Sequence, residues 1–113
     1  MNYNVKTYPL FEREIKRLSK RYRSIKQDYA NLLDTLREDP LQGVDLGNGV
    51  HKVRMAITSK GKGKSGGARV ITMIVNVLEG EGEIGLHYIY DKSERENITD
   101  SELRNILKQN GLL

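Results

Sequence analysis

The sequence has no cysteine, and this absence removes two kinds of site at once. Neither a disulfide nor a thiolate metal centre can form, which fits a chain that works in a reducing cytoplasm. Long hydrophobic runs are missing too. The longest apolar stretch is far too short to cross a bilayer, and no signal peptide opens the chain. We therefore expect a cytoplasmic protein with no membrane partner.

Acidic residues are absent from one long segment of the chain. Between Leu46 and Leu78 there is no Asp or Glu, although the formal net charge of the whole chain is only +4. The basic charge is therefore concentrated in this segment, as expected for a surface that meets a polyanion. A solvated basic loop is the structural alternative. The cationic residues of the segment are Lys52, Arg54, Lys60, Lys62, Lys64 and Arg69.

The first part of the chain predicts a strand followed by a helical hairpin. Residues 2–8 alternate as a strand does, and Pro9 suits the first turn of a helix. Apolar residues then recur at steps of three and four, which predicts a helical stripe that faces the core. A single straight helix of this length would outreach so small a domain, and Ser24 with Gln27 resembles a capping box. We therefore expect two helices with a break near Arg23.

The rest of the chain predicts three more strands and a last helix. Thr99 and Glu102 form a capping box for that helix, and Gly111 lies past its end. The order β-α-α-β-β-β-α predicts an α+β fold in a single domain over residues 1–113, in which an antiparallel sheet is packed by an N-terminal helical hairpin. The expected strands are residues 50–57, 68–78 and 84–91, with a turn-rich connector at 41–49 and a turn at 79–83.

Residues 59–70 read SKGKGKSGGARV and invite comparison with a nucleotide-binding loop. The Walker A pattern G-x-x-x-x-G-K-[ST] ends correctly at Gly63-Lys64-Ser65, but Thr58 stands where its first glycine is required. The segment that follows has strand character, so no helix N-terminus is available for a triphosphate. The glycines instead permit a close backbone approach to some other phosphate.

The two strands beside this loop predict a cationic surface. Lys52 and Arg54 share one face of their strand by its two-residue period, and Arg69 lies where the loop becomes the next strand. If the strands pair as a hairpin, these three side chains and Lys64 meet on one surface. Such a surface is typical of a protein that binds the phosphates of a polynucleotide.

Three stretches, KVRMAI, KGKGKSGGARVI and YIYDKSERENITDSEL, together resemble the RelE/HigB-like toxins of bacterial type II toxin–antitoxin systems, within the RelE/ParE superfamily. The resemblance covers essentially the whole chain and implies the RelE-like microbial ribonuclease fold. It also implies an endoribonuclease without metal or cofactor, which enters the ribosomal A site, cleaves mRNA and thereby inhibits translation. In the implied reaction the 2′-hydroxyl attacks the adjacent phosphate. The implied partners are mRNA on the ribosome and a cognate antitoxin.

The resemblance also implies which residues form the site. It favours a catalytic group of Arg54, Lys64, Arg69 and Lys92, and RNA contacts from Lys52, Lys60, Lys62 and Tyr90. Well-known members carry an arginine and a tyrosine near the end of the chain, whereas the last helix here offers Arg104 and no tyrosine. The general acid therefore stays open between Tyr90 and Lys92.

The general base is open as well. Histidine is the usual choice near neutral pH, and the chain has only His51 and His87, for which we expect structural roles. A lysine is the alternative, and the candidates are Lys52, Lys64 and Lys92.

Two other functions remain as alternatives. ParE-like proteins share the fold but poison DNA gyrase, so the same basic surface need not cut RNA. A non-catalytic RNA-binding module, such as a double-stranded-RNA-binding domain, has a similar element order but presents lysines at the start of its last helix. Here that position reads TDSE, which is acidic and repels phosphate.

Overall fold

A five-stranded sheet forms the centre of the computed structural model, which describes residues 2–112. The strands lie in the order β1-β5-β4-β3-β2. A 3-10 turn at Thr58–Lys60 begins the connection between β3 and β4. The elements are β1 Asn2–Thr7, α1 Pro9–Arg21, α2 Ile25–Glu38, β2 Val44–Gly47, β3 Val50–Met55, β4 Ala68–Leu78, β5 Glu81–Asp91 and α3 Asp100–Gln109.

The α+β class, the helical hairpin and the C-terminal helix are confirmed. The helix break falls at residues 22–24, where it was expected. The Ser24 capping box is wrong, because the backbone of Ser24 is itself helical and its hydroxyl donates to the Asp28 carboxylate at 2.7 Å. The capping box of Thr99 and Glu102 is confirmed at the start of α3.

The sheet differs from the predicted one in β1, β2 and the start of β5. The predicted connector contains β2, an edge strand whose four residues are all exposed and therefore carry no buried alternation. The sheet is also mixed, because β1 pairs in parallel with β5 while the other pairs are antiparallel. The connection from β1 to β5 runs through the helical hairpin and strands β2 to β4, which is long enough for a parallel pair. No residue pattern within β1 encodes its direction. The expected turn at 79–83 is shorter, since β5 already begins at Glu81.

The first face of the sheet is covered by the helical hairpin. Phe11, Leu18 and Leu36 of the hairpin are each at most 1% exposed and belong to the main core cluster. The alternate residues Val53 and Met55 of β3 are buried in the same cluster, as their strand parity predicts. The apolar stripe of the hairpin is therefore core.

The second face of the sheet is covered at one end only. Helix α3 packs Ile106 and Leu107 there, against a smaller cluster that includes Val50 and Ile71. Towards the other end, beyond Ile71, α3 leaves the sheet open. Among the described residues, no helix has the length and apolar character needed to cross a bilayer.

Candidate nucleic-acid interface

The open end of the second face forms a cleft with a volume of about 510 Å³. We call it the cationic cleft, because four of its lining side chains are lysines or arginines and only one is acidic. The lining residues are Val44, Lys52, Arg54, Arg69, Tyr90, Lys92, Glu96 and Asn97.

Strand register explains why these side chains meet. Arg54 of β3 is paired with Arg69 of β4, and Arg69 is paired with Tyr90 of β5. Residues directly opposite one another in a sheet project from the same face about 5 Å apart. Lys52 joins the same face two residues before Arg54. The hairpin predicted from the sequence therefore forms, and it brings Lys52, Arg54 and Arg69 together.

Arg69 contacts the backbone of the glycine-rich segment and also lines the cleft. It is 5% exposed, and its guanidinium donates to the carbonyl oxygens of Lys64 at 3.0 Å, Ala68 at 3.1 Å and Ser65 at 3.1 Å. A guanidinium has five N–H donors, so two remain for a ligand in the cleft. Burial, and then the nearby charge of Arg54, lowers the pKa of Arg69, but an arginine remains charged in proteins.

The glycine-rich loop, residues 61–67, folds back towards the end of β5. Gly61 and Gly63 have φ values of 71° and 62°, which favour glycine. Gly67 is needed for a close approach, because a Cβ there would lie 2.2 Å from the carbonyl oxygen of Met55. The amide of Lys92 donates to the carbonyl of Gly67 at 3.0 Å. Lys92 is thus fixed to the end of the loop and lines the cleft.

Two of the loop lysines lie outside the cationic cleft. Lys64 is exposed and lines a separate cavity of about 150 Å³, which it shares with Arg54 and with Asp28 of α2. Lys62 is exposed and lines neither cavity. The predicted cationic surface is therefore divided between two cavities, and Arg54 lines both of them.

Lys60 is paired with a buried carboxylate and lines neither cavity. Its side chain is 9% exposed, and its ammonium lies 2.8 Å from the fully buried carboxylate of Asp91. It also donates to the Ser93 hydroxyl at 3.1 Å. The predicted RNA contact from Lys60 does not fit this position, because the 3-10 turn directs the side chain into the protein.

Tyr90 lines the cleft as a buried side chain. It is 3% exposed and packs in the smaller core cluster, with its ring centroid 6.0 Å from that of Tyr88. Its ring is therefore not accessible for stacking on a base, which limits the RNA contact expected from Tyr90. Burial raises the pKa of Tyr90, so its hydroxyl stays protonated, and that hydroxyl has no hydrogen-bond partner within residues 2–112.

Two polar residues that line the cleft were not predicted from the sequence, because neither carries a positive charge. Glu96 supplies the acidic group of the cleft, and Asn97 accepts a hydrogen bond from the Lys52 ammonium at 3.1 Å. Both follow Lys92 in the stretch YDKSERENIT, and that proximity was the available signal. The preceding Glu94 fixes this segment to α1 by ion pairs with Arg17 at 2.7 Å and Arg21 at 2.8 Å.

Both histidines lie away from the cationic cleft. His51 is 6% exposed, and one of its ring nitrogens lies 3.3 Å from the carbonyl oxygen of Gly49. His87 is 1% exposed and stacks on Tyr8 with ring centroids 4.1 Å apart. Burial, and then the charge of Lys6, lowers the pKa of His87 to about 4. Both positions fit the structural roles expected for these residues.

The acidic and histidine side chains within residues 2–112 form no group of three or more that could hold a metal ion. The described residues that line the cleft contribute one carboxylate, one amide and four cations. Such a set of side chains is suited to binding an anion.

Comparison with known proteins places the chain in a family. Residues 11–112 match the family model described as the RelE toxin of the RelE / RelB toxin–antitoxin system. A search of curated protein sequences returned no match. The family match covers most of the chain, and it implies a cognate antitoxin as partner. With the α+β fold and the cationic cleft already described, this match shows that the chain belongs to the RelE family of toxins.

Proposed function

We propose that this RelE-family toxin is a metal-independent endoribonuclease that cleaves mRNA in the ribosomal A site and so inhibits translation in the cytoplasm. A cognate antitoxin would hold it inactive. The observation that carries the proposal is the cationic cleft, in which Lys52, Arg54, Arg69 and Lys92 converge from two strands and the segment after β5. Family membership supports the toxin function, and the cleft supports a phosphate-containing substrate.

The proposed reaction is an internal transesterification of RNA. The 2′-oxygen forms a bond to the adjacent phosphorus while the bond from phosphorus to the 5′-oxygen breaks. A base takes the proton of the 2′-hydroxyl, and an acid gives a proton to the leaving 5′-oxygen. The products are a 2′,3′-cyclic phosphate and a free 5′-hydroxyl, with no net uptake of water.

Arg54 and Arg69 are suited to stabilising the charge that develops on the phosphate. They are paired across neighbouring strands, and both line the cleft. Arginine can bind two phosphate oxygens at once, and it keeps its charge at every pH of interest. Because Arg69 is held by three backbone carbonyls, its position is set before the substrate binds.

The lining residues also provide an acid and a base without histidine. At neutral pH a carboxyl group is ordinarily ionised and a lysine protonated, so the first accepts a proton and the second donates one. We assign the base to Glu96, the carboxylate of the cleft, and the acid to Lys92, whose backbone is fixed to Gly67. The Tyr90 hydroxyl is buried, so we do not assign the acid to it.

The exposed lysines beside the cleft have a different proposed role. Lys62 and Lys64 lie on the glycine-rich loop and would attract the RNA backbone as mobile charges. Lys52 is held by Asn97 and would contact a phosphate inside the cleft.

The direct test is a purified bacterial translation reaction programmed with a defined mRNA. Primer extension should show cuts in translated codons after the toxin is added, and the new 5′ ends should accept a labelled phosphate from polynucleotide kinase without prior phosphatase treatment. Intact mRNA would contradict the proposal. In that case gyrase supercoiling in the presence of the toxin would test the alternative of a gyrase poison.

A further inference from the structure

A buried ion pair links the start of the glycine-rich loop to the end of β5. The Lys60 ammonium and the Asp91 carboxylate lie 2.8 Å apart, with side-chain exposures of 9% and 0%. Lys60 directly precedes the loop, and Asp91 directly precedes Lys92, which lines the cationic cleft. The pair therefore joins two segments of the candidate site without lying in it.

The carboxylate of Asp91 is well satisfied by hydrogen bonds. One oxygen accepts from Lys60 and from the amide and hydroxyl of Ser93 at 2.9 and 2.7 Å, and the other accepts from the Tyr22 hydroxyl at 2.6 Å. Burial alone would raise the pKa of Asp91, but the hydrogen bonds from Lys60, Tyr22 and Ser93 outweigh it and hold this pKa well below its ordinary value. The carboxylate is therefore ionised, and it fixes the Ser93 backbone in the segment that carries Lys92.

The 3-10 turn that contains Lys60 has a second anchor on the helical hairpin. The Asp28 carboxylate of α2 accepts from the amide of Thr58 at 2.9 Å and from its hydroxyl. Ser24 accepts from the amide of Ser59 at 2.9 Å. The start of the loop is thus held on one side by the hairpin and on the other by Asp91.

The far end of the loop is held by Lys92, the residue that follows β5. The Lys92 amide donates to the carbonyl of Gly67, and the Arg69 guanidinium donates to the carbonyls of Lys64 and Ser65. The loop is consequently closed at both ends against residues 91 and 92. A change at Lys60 would release the first of these attachments and leave the second in place.

We propose that the Lys60–Asp91 ion pair is a positioning device, which holds the glycine-rich loop against the end of β5 and so sets the placement of Lys92 and Arg69 around the substrate phosphate. Its catalytic part rests on the proposed function. Its structural part, the restraint of residues 61–67, stands without it. Lys60 is on this account a positioning residue and not a phosphate ligand.

The test uses the full chain with a neutral replacement of the pair, Lys60→Met together with Asp91→Asn. Removing both charges avoids leaving one of them buried without a partner. The matched control is Lys26→Met, which removes an exposed lysine from α2. Three quantities are compared: amide hydrogen exchange of residues 61–67, the rate of mRNA cleavage in the translation reaction, and the affinity for a single-stranded 2′-O-methyl RNA, which cannot be cut.

The expected result is faster exchange in residues 61–67 and a cleavage rate lowered by about 10²-fold, because catalysis is sensitive to small misplacements. The affinity for 2′-O-methyl RNA should match that of the Lys26→Met control. Exchange and cleavage at wild-type values would overturn the proposal. So would an affinity lowered as far as in Lys62→Met with unchanged exchange, since Lys60 would then act as a phosphate ligand.

Two further outcomes of this experiment also have a defined interpretation. If circular dichroism shows that the double variant does not fold, Lys60→Gln takes its place, because it removes the ion pair while Asp91 keeps its hydrogen bonds from Tyr22 and Ser93. Unchanged exchange in Lys60→Gln then overturns the proposal, and faster exchange supports it. If the wild-type toxin cuts no mRNA, the proposed function fails, and the exchange measurement alone decides whether the pair restrains the loop.

Discussion

The two faces of the sheet are built from the same strands but serve different purposes. On the first face, Val53 and Met55 of β3 are buried under the helical hairpin. On the second face, Lys52 and Arg54 alternate with them and line the cationic cleft. Alternate residues of β3 thus pack in the core, and the residues between them present positive charge on the other face. The stable face can therefore keep the cationic side chains in register while they remain available to a ligand.

Removing a core side chain from the first face should give the largest effect. Leu36 of α2 is 0% exposed. Leu36→Ala should lower the free energy of unfolding by about 2–5 kcal/mol, since it deletes buried apolar contacts and leaves a cavity. Urea denaturation measures this loss. The control is Leu41→Ala at a site that is 61% exposed, where we expect a change within about 0.5 kcal/mol. Equal losses at the two sites would contradict the assigned core.

Removing a charge from the second face should impair catalysis and spare stability. Arg54→Ala should lower the rate of mRNA cleavage by about 10²–10³-fold, the usual cost of losing one group that stabilises the transition state. Its urea midpoint should stay close to wild type because Arg54 is exposed. Arg37→Ala, on an exposed part of α2, is the control and should leave cleavage unchanged. Full cleavage by Arg54→Ala would remove this residue from the site.

Acid should weaken the fold through His87. Its pKa is about 4 in the folded protein and about 6.5 when unfolded, so the unfolded chain binds more protons between these values. The stability contributed by neutral His87 is complete above pH 6.5 and is lost as pH falls towards 4, by up to about 3 kcal/mol. Urea unfolding at pH 5 and pH 7 measures most of this loss. His87→Gln should flatten the pH dependence, whereas His51→Gln should retain it, and the reverse pattern would contradict the assignment.

The cap of α3 should have the smallest effect. Thr99 accepts a hydrogen bond from the amide of Glu102 at 3.1 Å. Thr99→Ala should lower the free energy of unfolding by about 1 kcal/mol. It should also speed amide exchange in the first turn of α3. Ser101→Ala, at an exposed position in the same turn, is the control. A loss as large as that of Leu36→Ala would mean that α3 holds the second face more strongly than its packing indicates.

Much of the fold could be predicted because the chain follows regular periods. Strand parity predicted that Lys52 and Arg54 lie on one face of β3 and that Val53 and Met55 lie on the other. The helical stripe predicted the core of the hairpin. Edge strand β2 could not be predicted, since its residues are exposed on every side and no burial pattern marks it. The parallel direction of β1 depends on its distant partner β5, which its own residues do not encode.

The positions of the site residues could be predicted where they lie in strands, but not where they lie in turns. Arg54 and Arg69 meet because the register of a hairpin follows from alternation. Lys60 and Lys62 each directly precede a glycine, yet the first is paired with the buried Asp91 and the second is exposed. No period governs a side chain in a 3-10 turn, so its direction depends on the tertiary partners. Glu96 was missed for a related reason, since it reaches the cleft from an irregular segment.

The salt dependence of RNA binding tests most directly whether the lysines of the cleft form one phosphate site. Affinity for single-stranded 2′-O-methyl RNA would be measured at several salt concentrations for the wild type and for Lys52→Ala, Lys92→Ala and Lys26→Ala. Each lost phosphate contact should reduce the slope of log affinity against log salt by about 0.7. We expect that reduction for Lys52→Ala and for Lys92→Ala, and the wild-type slope for Lys26→Ala. Identical slopes for all four proteins, or the same reduction in Lys26→Ala, would contradict the account.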